Sequence, residues 1–541
     1  MRRVPRVIPA TGRAPSRERN EPTLRFGSAV PWLVPASLVA ALGCGDQKPP
    51  SSAEHEGTKT IVPGELRKAA QAAGKLLGAA VDAAPLRAEP RYAELLASEF
   101  DSVTPENATK WGPLAPTSTS YQWEDADAIV DFAAAHSQLV KGHTFVWHRQ
   151  YPSWLNGSMS AEELRAAIKS HIETTLARYR GKVRAWDVVN EAVDIESASG
   201  YTESLFFQKL GPSYIEDAFR WARAADPDVL LYYNEVGIER LGPKSDFTYA
   251  LMRDLLAKGV PIDGIGFQSH ISIHRYPAES NLRANIRRFA ELGLRVNISE
   301  LDARTMLLPG STESRWEAQR VAFQQVVGAC ILEPGCESVT LWGFTDKYSW
   351  INDEGPDDPL LFDRNYEKKP AYFGVLDGLG GRLPTLGENR IDNGAFDEGP
   401  RAWMAASGEL SVAKADGRDG QAACVSARTT ERDALAQPGL EARLATSGPL
   451  AFSSRVRLRN GSAATVQAAL KIQEAGGTPT ELSLGSIAAS DTDWVELAGY
   501  FGLGFEAPPT AITLELYGPA AGIDLCVADV AIRPLSANPA P

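Results

Sequence analysis

Glu191 closes the segment Trp186-Asp-Val-Val-Asn-Glu191, and Glu300 lies in Asn297-Ile-Ser-Glu300-Leu-Asp302. Each follows a short run of residues with strand character, and each run breaks into polar groups. Two carboxylates presented that way suit cleavage of a glycosidic bond. One holds a proton for the leaving oxygen, and the other stays ionised to attack the anomeric carbon. A Glu at a strand end is more often a plain surface charge, so the pair means little without its surroundings.

Positioning such a pair requires a scaffold. Eight apolar runs have strand character: Leu76–Val81, Phe100–Thr104, Val140–Trp147, Ala185–Asn190, Leu230–Asn234, Ile262–Gln268, Arg295–Ser299 and Ser338–Phe344. Most carry the Val, Ile, Tyr, Phe or Trp of buried strands. Amphipathic helical stretches separate them. Ser160-Ala-Glu-Glu163 is a capping box that opens a helix to Arg180, with Leu164, Ile168, Ile172 and Leu176 on one face. Helices over Ser245–Lys258 and Asn281–Leu292 end at Gly259 and Gly293, and Thr312–Leu332 is the last long one. The alternation predicts a (β/α)8 TIM barrel in the α/β class. A doubly wound sheet competes, but no Gly-rich phosphate loop follows the first strand. In a barrel, chemistry belongs at the C-terminal strand ends. Glu106, His143, Asn190, Glu191, Gln268, His270, Glu300 and Trp342 fall there.

The chain has 541 residues, too many for one ordinary domain. Its net charge of −13 and pI near 5.2 argue against nucleic acid and anionic membrane as partners. Residues 1–44 have the layout of a bacterial export signal: a basic leader, an apolar run from Val30 to Leu42, then Gly43-Cys44. Gly43-Cys44 is similar to a lipoprotein cleavage site, which makes Cys44 a lipidation candidate and a membrane tether through it one outcome. Plain secretion and a retained anchor stay open. Residues 45–64 read as a polar flexible linker. Among the five cysteines, Cys330 with Cys336 and Cys424 with Cys526 are disulfide candidates; free thiols are the alternative. Residues 65–380 form the barrel domain and 381–390 a linker. Residues 391–541, with short alternating segments split by Gly, Pro and Asp, predict an all-β sandwich.

Several motifs in order carry a family resemblance. Thr104-Pro-Glu-Asn-Ala-Thr-Lys-Trp111 and Gly142-His-Thr-Phe-Val-Trp-His-Arg-Gln150 come first. Trp186–Glu191, Gly266-Phe-Gln-Ser-His270, Ser299-Glu-Leu-Asp302, Leu341-Trp-Gly-Phe-Thr-Asp346 and Pro359-Leu-Leu-Phe-Asp363 follow. The stretch from about Leu66 to Leu376 resembles glycoside hydrolase family 10, the retaining endo-β-1,4-xylanases. The resemblance implies Glu300 as nucleophile and Glu191 as acid/base. It implies support from Asn190, His270 and Asp302, with His270 on the nucleophile and Asp302 orienting it. It implies sugar contacts from Glu106, Asn107, Lys110, His143, Trp147, Gln150 and Gln268, and aromatic walls from Trp342 and Trp350. Asp187 is expected to support the site from behind. No cofactor and no metal are expected, xylan is the expected partner, and the chain is expected to be a monomer. Two departures stand out. Thr109 replaces a usual Met, read as a packing change. Asn234-Glu235-Val236 replaces Asn-Asp-Tyr, which would remove an aromatic platform on the leaving-group side. The acidic run Asn352–Asp358 reads mainly as a solvated loop at the barrel mouth, with cation or substrate contact the alternative.

The C-terminal segment resembles jelly-roll carbohydrate-binding modules attached to xylanases, through Asn393-Gly-Ala-Phe396, Trp403, Trp494 and Asp524–Ile532. Trp403, Trp494, Tyr500 and Tyr517 are candidate sugar platforms, with core packing the competing role for each. A sandwich that only packs on the barrel is the alternative for the domain. For the whole chain the alternatives are a β-1,4-glucanase on the same machinery and a non-catalytic glycan-binding lipoprotein.

Overall fold

A computed structural model describes residues 62–461 and 463–538. Cys44 and most of the expected export and linker segments lie outside the described residues. Eight parallel strands close on themselves: β1 (Leu76–Val81), β2 (Ser102–Pro105), β3 (Leu139–Trp147), β4 (Ala185–Asn190), β5 (Leu230–Glu235), β6 (Gly264–Phe267), β8 (Arg295–Arg304) and β9 (Cys336–Leu341). β1 pairs with β9 and β6 with β8, which completes the barrel. A three-residue strand, β7 (His270–Ser272), lies outside this ring and, among the described strands, pairs with the far end of β8.

The intervening helices follow the periodicity. In Ala161–Tyr179 both reciprocal bonds of the capping box form, and Leu164, Ile168, Ile172 and Leu176 are buried. Gly259 (φ 68°) and Gly293 (φ 87°) take the left-handed turn that ends their helices, a conformation a Cβ would strain.

Two site residues lie inside strands and not at the strand ends where they were expected. β8 continues to Arg304, so Glu300 lies within a strand and not at its end. His143 likewise sits mid-strand in β3. Pairing beyond the barrel ladder, to β7, keeps β8 extended past Glu300.

The C-terminal segment forms two antiparallel sheets. One holds β10 (Thr385–Leu386), β12 (Glu409–Lys414), β13 (Gln421–Ser426), β15 (Gly448–Arg459), β18 (Val495–Leu503) and β20 (Asp524–Ser536). The other holds β11 (Met404–Ala405), β14 (Leu435–Gln437), β16 (Ala464–Glu474), β17 (Thr480–Ala489) and β19 (Pro509–Tyr517). One apolar cluster includes Phe452 and Val527 from the first sheet and Leu470 and Leu514 from the second. Both disulfides are formed: Cys330–Cys336 in the barrel, and Cys424–Cys526 across the paired strands β13 and β20.

The expected linker over residues 381–390 is tied down. β10 pairs with β20, and the Gly387 and Arg390 amides donate to the Pro534 and Ile532 carbonyls (2.8 and 2.7 Å). β13 pairs with β20 only over Leu525–Val527, so this later stretch of edge is free to take another segment. Three of the four aromatic candidates are also committed elsewhere. Trp403 is buried against Phe396, with its indole N–H on the Asn393 carbonyl (3.1 Å). Tyr517 is buried and donates to Glu481 (2.9 Å), and Tyr500 packs edge to face against Tyr276 of the barrel. Tyr500 and Trp494 are both partly open, and Trp494, its indole N–H on the Asp416 carbonyl (2.9 Å), lines a cavity of about 260 Å³ with Asp416, Arg457 and Arg459. Residue type alone does not separate a ring that fills a core from one that faces sugar.

Candidate active site

The barrel register brings the chemistry together. Asn190 on β4 stands beside Asn234 on β5, and Phe267 on β6 stands beside Ile298 on β8. A cleft of about 570 Å³ opens over these strand ends. Every acid/base, nucleophile and sugar-contact candidate lines it: Glu106, Asn107, Lys110, His143, Trp147, Gln150, Asn190, Glu191, Gln268, His270, Glu300, Trp342 and Trp350. Arg149, Val236 and Asp353 complete the lining. Val236, the residue that replaces the tyrosine of the family pattern, thus lines the cleft with an aliphatic side chain.

Glu300 is buried, with each carboxylate oxygen held by a donor. Asn234 Nδ2 donates to Oε1 (2.6 Å), and His270 Nε2 lies 3.1 Å from Oε2. Burial alone would raise this carboxyl's pKa. The His270 hydrogen bond, the fields of His143 and His270, and Asn234 overcome burial and hold it down at about 2. His270 is fixed from its other side by Asp302, with Nδ1 to Oδ2 at 2.9 Å. Burial works against its charged form, yet Asp302 and Glu300 push its pKa up to about 10. A protonated imidazole therefore sits between two carboxylates. Asp302 also accepts from the Trp350 indole N–H (2.8 Å), which locks that ring edge-on to His270.

Glu191 takes three donors: Trp147 Nε1 to Oε2 (2.9 Å), and Gln268 Nε2 and Asn190 Nδ2 to Oε1 (2.8 and 3.2 Å). Its backbone is left-handed (φ 55°), as is that of Ser269 (φ 63°), between Gln268 and His270. Such a conformation costs about 1–3 kcal/mol at a residue with a Cβ and collects at functional sites. The Glu191 amide donates to the Asn234 carbonyl (2.9 Å), and Thr202 Oγ1 donates to the Glu191 carbonyl (2.9 Å), which holds the turn. The two carboxylates share one network, because Asn190 Oδ1 accepts from both Asn234 (2.8 Å) and Gln268 (3.3 Å).

The adjoining wall is a polar grip. Lys110 Nζ donates to Asn107 and Gln150 (3.0 and 2.8 Å) and lies 4.9 Å from the Trp147 ring centre. Burial pushes the half-buried Glu106 carboxyl up to about 7 against the opposing charge of Lys110. His143 Nδ1 bonds Asp187 (3.0 Å), which also pairs with Lys141 (2.8 Å). Asp187 thus braces the site from behind. Trp342 packs edge-on to His143 and His270.

Two readings need correcting. Thr109 is more than a packing change: its hydroxyl donates to the His143 carbonyl (2.7 Å) and accepts from the His143 amide (3.2 Å), so it pins β3. The acidic loop is not simply solvated. Asp357 is buried and accepts from Thr305 N and Oγ1 (3.0 and 2.6 Å), while Glu354 pairs with Arg304 (2.6 Å). Asn234, read from the sequence only as a strand end and within the Asn234-Glu235-Val236 departure, was given no role in the site. Asn234 touches the Glu300 carboxylate directly, and its place at the end of the fifth strand, level with Asn190, was the available signal.

A carboxylate kept ionised and a second carboxylate in one hydrogen-bonded network, over aromatic walls at the mouth of a parallel barrel, suit the class of enzymes that cleave sugar acetals. Residues 65–378 match the family model described as "Glycosyl hydrolase family 10". The chain belongs to glycosyl hydrolase family 10. Endo-1,4-beta-xylanase B of Thermotoga neapolitana is 43% identical over 289 residues, covering 53% of this chain and 82% of that protein. Endo-1,4-beta-xylanase D of Talaromyces funiculosus is 39% identical over 323 residues, covering 59% of this chain and 78% of that protein. Xylanase 10B of Thermotoga petrophila RKU-1, solved in complex with xylobiose, aligns with TM-score 0.56 and 38% identity. The alignment covers 58% of this chain and 97% of that one.

The charge arrangement predicts an alkaline limit to stability. His270 binds its proton more tightly folded (about 10) than at its ordinary 6.5, so its contribution is full below 6.5 and lost as pH rises toward 10. Glu300 works the opposite way: its contribution is present above 4.5 and lost as pH falls toward about 2. Urea unfolding followed from pH 6 to 10 should show the wild-type protein losing its stability advantage over His270→Asn. A gap that stays constant across that range would contradict the charge assignment.

Proposed function

We infer that this chain is an endo-1,4-β-xylanase, hydrolysing internal β-1,4-xylosidic bonds of xylan with retention at the anomeric carbon. The observation that carries the mechanism is the buried Glu300 carboxylate, bracketed by His270 and Asn234 and linked through Asn190 to Glu191. Glu300 attacks the anomeric carbon as the glycosidic C–O bond breaks, and Glu191 gives its proton to the departing oxygen. Water then attacks the glycosyl ester, gives a proton to Glu191, and releases Glu300. Asn190 is placed to bond the sugar 2-hydroxyl, a contact that strengthens in the transition state. Glu106, Asn107, Lys110 and Gln150 grip the neighbouring sugar, and Trp342 and Trp350 offer ring faces to its C–H groups.

The domain plan proposed is an export segment over 1–44, a tether to 64, the barrel over 65–380, a strand-paired connector over 381–390 and a β domain over 391–541. The two disulfides support an oxidising compartment, with Cys44 lipidated or the chain plainly secreted. The apolar core shared by the two C-terminal sheets supports a jelly-roll-like sandwich, and Trp494 is its remaining candidate sugar contact.

Reducing-sugar release from xylan and from mixed-linkage β-glucan by the purified protein tests the substrate. Release mainly from xylan is expected. Release mainly from glucan would keep the machinery and overturn the substrate. Trp494→Ala should reduce retention on insoluble xylan and leave turnover of short soluble oligomers unchanged. Equal retention would remove sugar binding from the C-terminal domain.

A further inference from the structure

His270 does not sit on the barrel's own ladder. It begins β7, a three-residue strand at the outer end of its sheet, held only by the extension of β8: His270 to Asp302, Ile271 to Ala303, Ser272 to Arg304. So short an edge strand is marginal on its own. The chain then runs through Ile273, whose amide donates to the Arg304 carbonyl (3.0 Å), and reaches Tyr276.

There the C-terminal domain takes hold of it. Tyr276 and Tyr500 on β18 exchange both backbone hydrogen bonds (2.9 and 3.0 Å), and the Gly502 amide donates to the His274 carbonyl (3.3 Å). The Tyr276 and Tyr500 rings meet edge to face at 5.8 Å, and Tyr276 is buried. The backbones approach so closely that only glycine fits. A Cβ on Gly502 would lie 2.7 Å from the Ile273 carbonyl oxygen and 2.8 Å from Leu308. A Cβ on Gly504 would lie 2.2 Å from the Pro309 carbonyl oxygen. β18 therefore clasps both the segment after β7 and the segment after β8. A second attachment lies away from the rim: Val321 packs with Ala451 and Leu535, and Arg320 donates to the Asn538 carbonyl (2.6 Å). From within the barrel, Asp357 pins Thr305, the residue just past the end of the β8 extension.

We propose that the C-terminal β domain is a positioning element of the active site, acting through Tyr500 and Gly502 to hold the rim segment that places His270 against the nucleophile. This rests on the reading of Glu300 as nucleophile with His270 as its partner. The consequence is a cost in turnover when the clasp is broken, because misplacement by about 1 Å far from the chemistry can cost on the order of 100-fold.

The test uses the full chain with Gly502→Val, Tyr500→Ala, the double variant and Tyr500→Phe, assayed on short soluble xylooligosaccharides. Expected for the first three is a kcat about tenfold lower or worse, with KM within about twofold. The acid limb of kcat/KM should also move to higher pH, as Glu300 loses the donor that keeps it ionised. The other titratable groups facing Glu300 (His143, Lys110, Glu106, Glu191 and Asp302) are the same in every variant, so a moved limb reports His270. Tyr500→Phe keeps both the backbone pairing and the ring and should behave as wild type. Hydrogen exchange over residues 273–276 and 500–504 reports undocking. Undocking with kcat and the acid limb unchanged overturns the proposal. So does a double variant that stays docked at full activity, or a kcat that falls only in step with the folded fraction. Glu300→Gln is assayed alongside: activity retained there would defeat the reading of the nucleophile and not the clasp.

Discussion

Glu300→Gln is expected to lower xylan turnover on the order of 10⁵-fold or more, the scale of losing a covalent nucleophile. The loss has two parts. An amide cannot form the glycosyl ester that splits the reaction in two. It also fits its site badly, since Oε1 and Oε2 both accept hydrogen bonds, from Asn234 and from protonated His270. The amide NH2 must face one of those donors, and a buried donor left unpaired costs about 1–3 kcal/mol. Glu300→Ala separates the two parts by leaving a gap. A small anion such as azide should enter it, attack from the face Glu300 used, and give a glycosyl azide of inverted configuration. Xylobioside release and the product's anomeric configuration by NMR check this. Retained configuration, or turnover above about 1% of wild type, would remove Glu300 from its role.

How much of this was legible before the structure depended on how local each signal was. The eight strand runs and the helix from Ser160 could be read because apolar spacing and capping are properties of neighbouring residues. Glu191 and Glu300 could be read because each ends a short apolar run in polar residues. Asn234 was passed over because its importance comes from register: it stands level with Asn190 on the next strand and only there reaches Glu300. The run of β8 past Glu300 depends on β7, a partner 32 residues earlier with no strand signature of its own. Asp357 looked like one more solvated charge, and its hold on Thr305 joins segments 52 residues apart. The same holds for residues 381–390, whose Gly and Pro content reads as a free linker until the edge of β20, about 150 residues later, takes it up. In each case the missing information was which distant polar groups still needed a partner.

Glu191→Ala should show a loss whose size depends on the leaving group. On xylan the departing alcohol needs a proton, so kcat should fall about 10²–10⁴-fold, the usual worth of a positioned acid or base. On an aryl xylobioside with a strongly acidic phenol the first step needs no proton. The phenol should then appear in a rapid burst, followed by a slow phase as the glycosyl ester on Glu300 waits for water that nothing activates. Azide should speed the slow phase without needing a base and give a glycosyl azide of retained configuration, the opposite of the Glu300→Ala product. Alanine is the informative substitution. Glu191→Gln would keep Gln268 and Asn190 on the remaining oxygen but turn the new NH2 toward the Trp147 N–H, so its loss would mix chemistry with a forced rearrangement. Stopped-flow phenol release checks the burst. Equal losses on xylan and on the activated glycoside would mean that Glu191 positions substrate and does not transfer the proton. Azide rescues of opposite configuration at the two carboxylates would fix which one attacks and which one serves the leaving group.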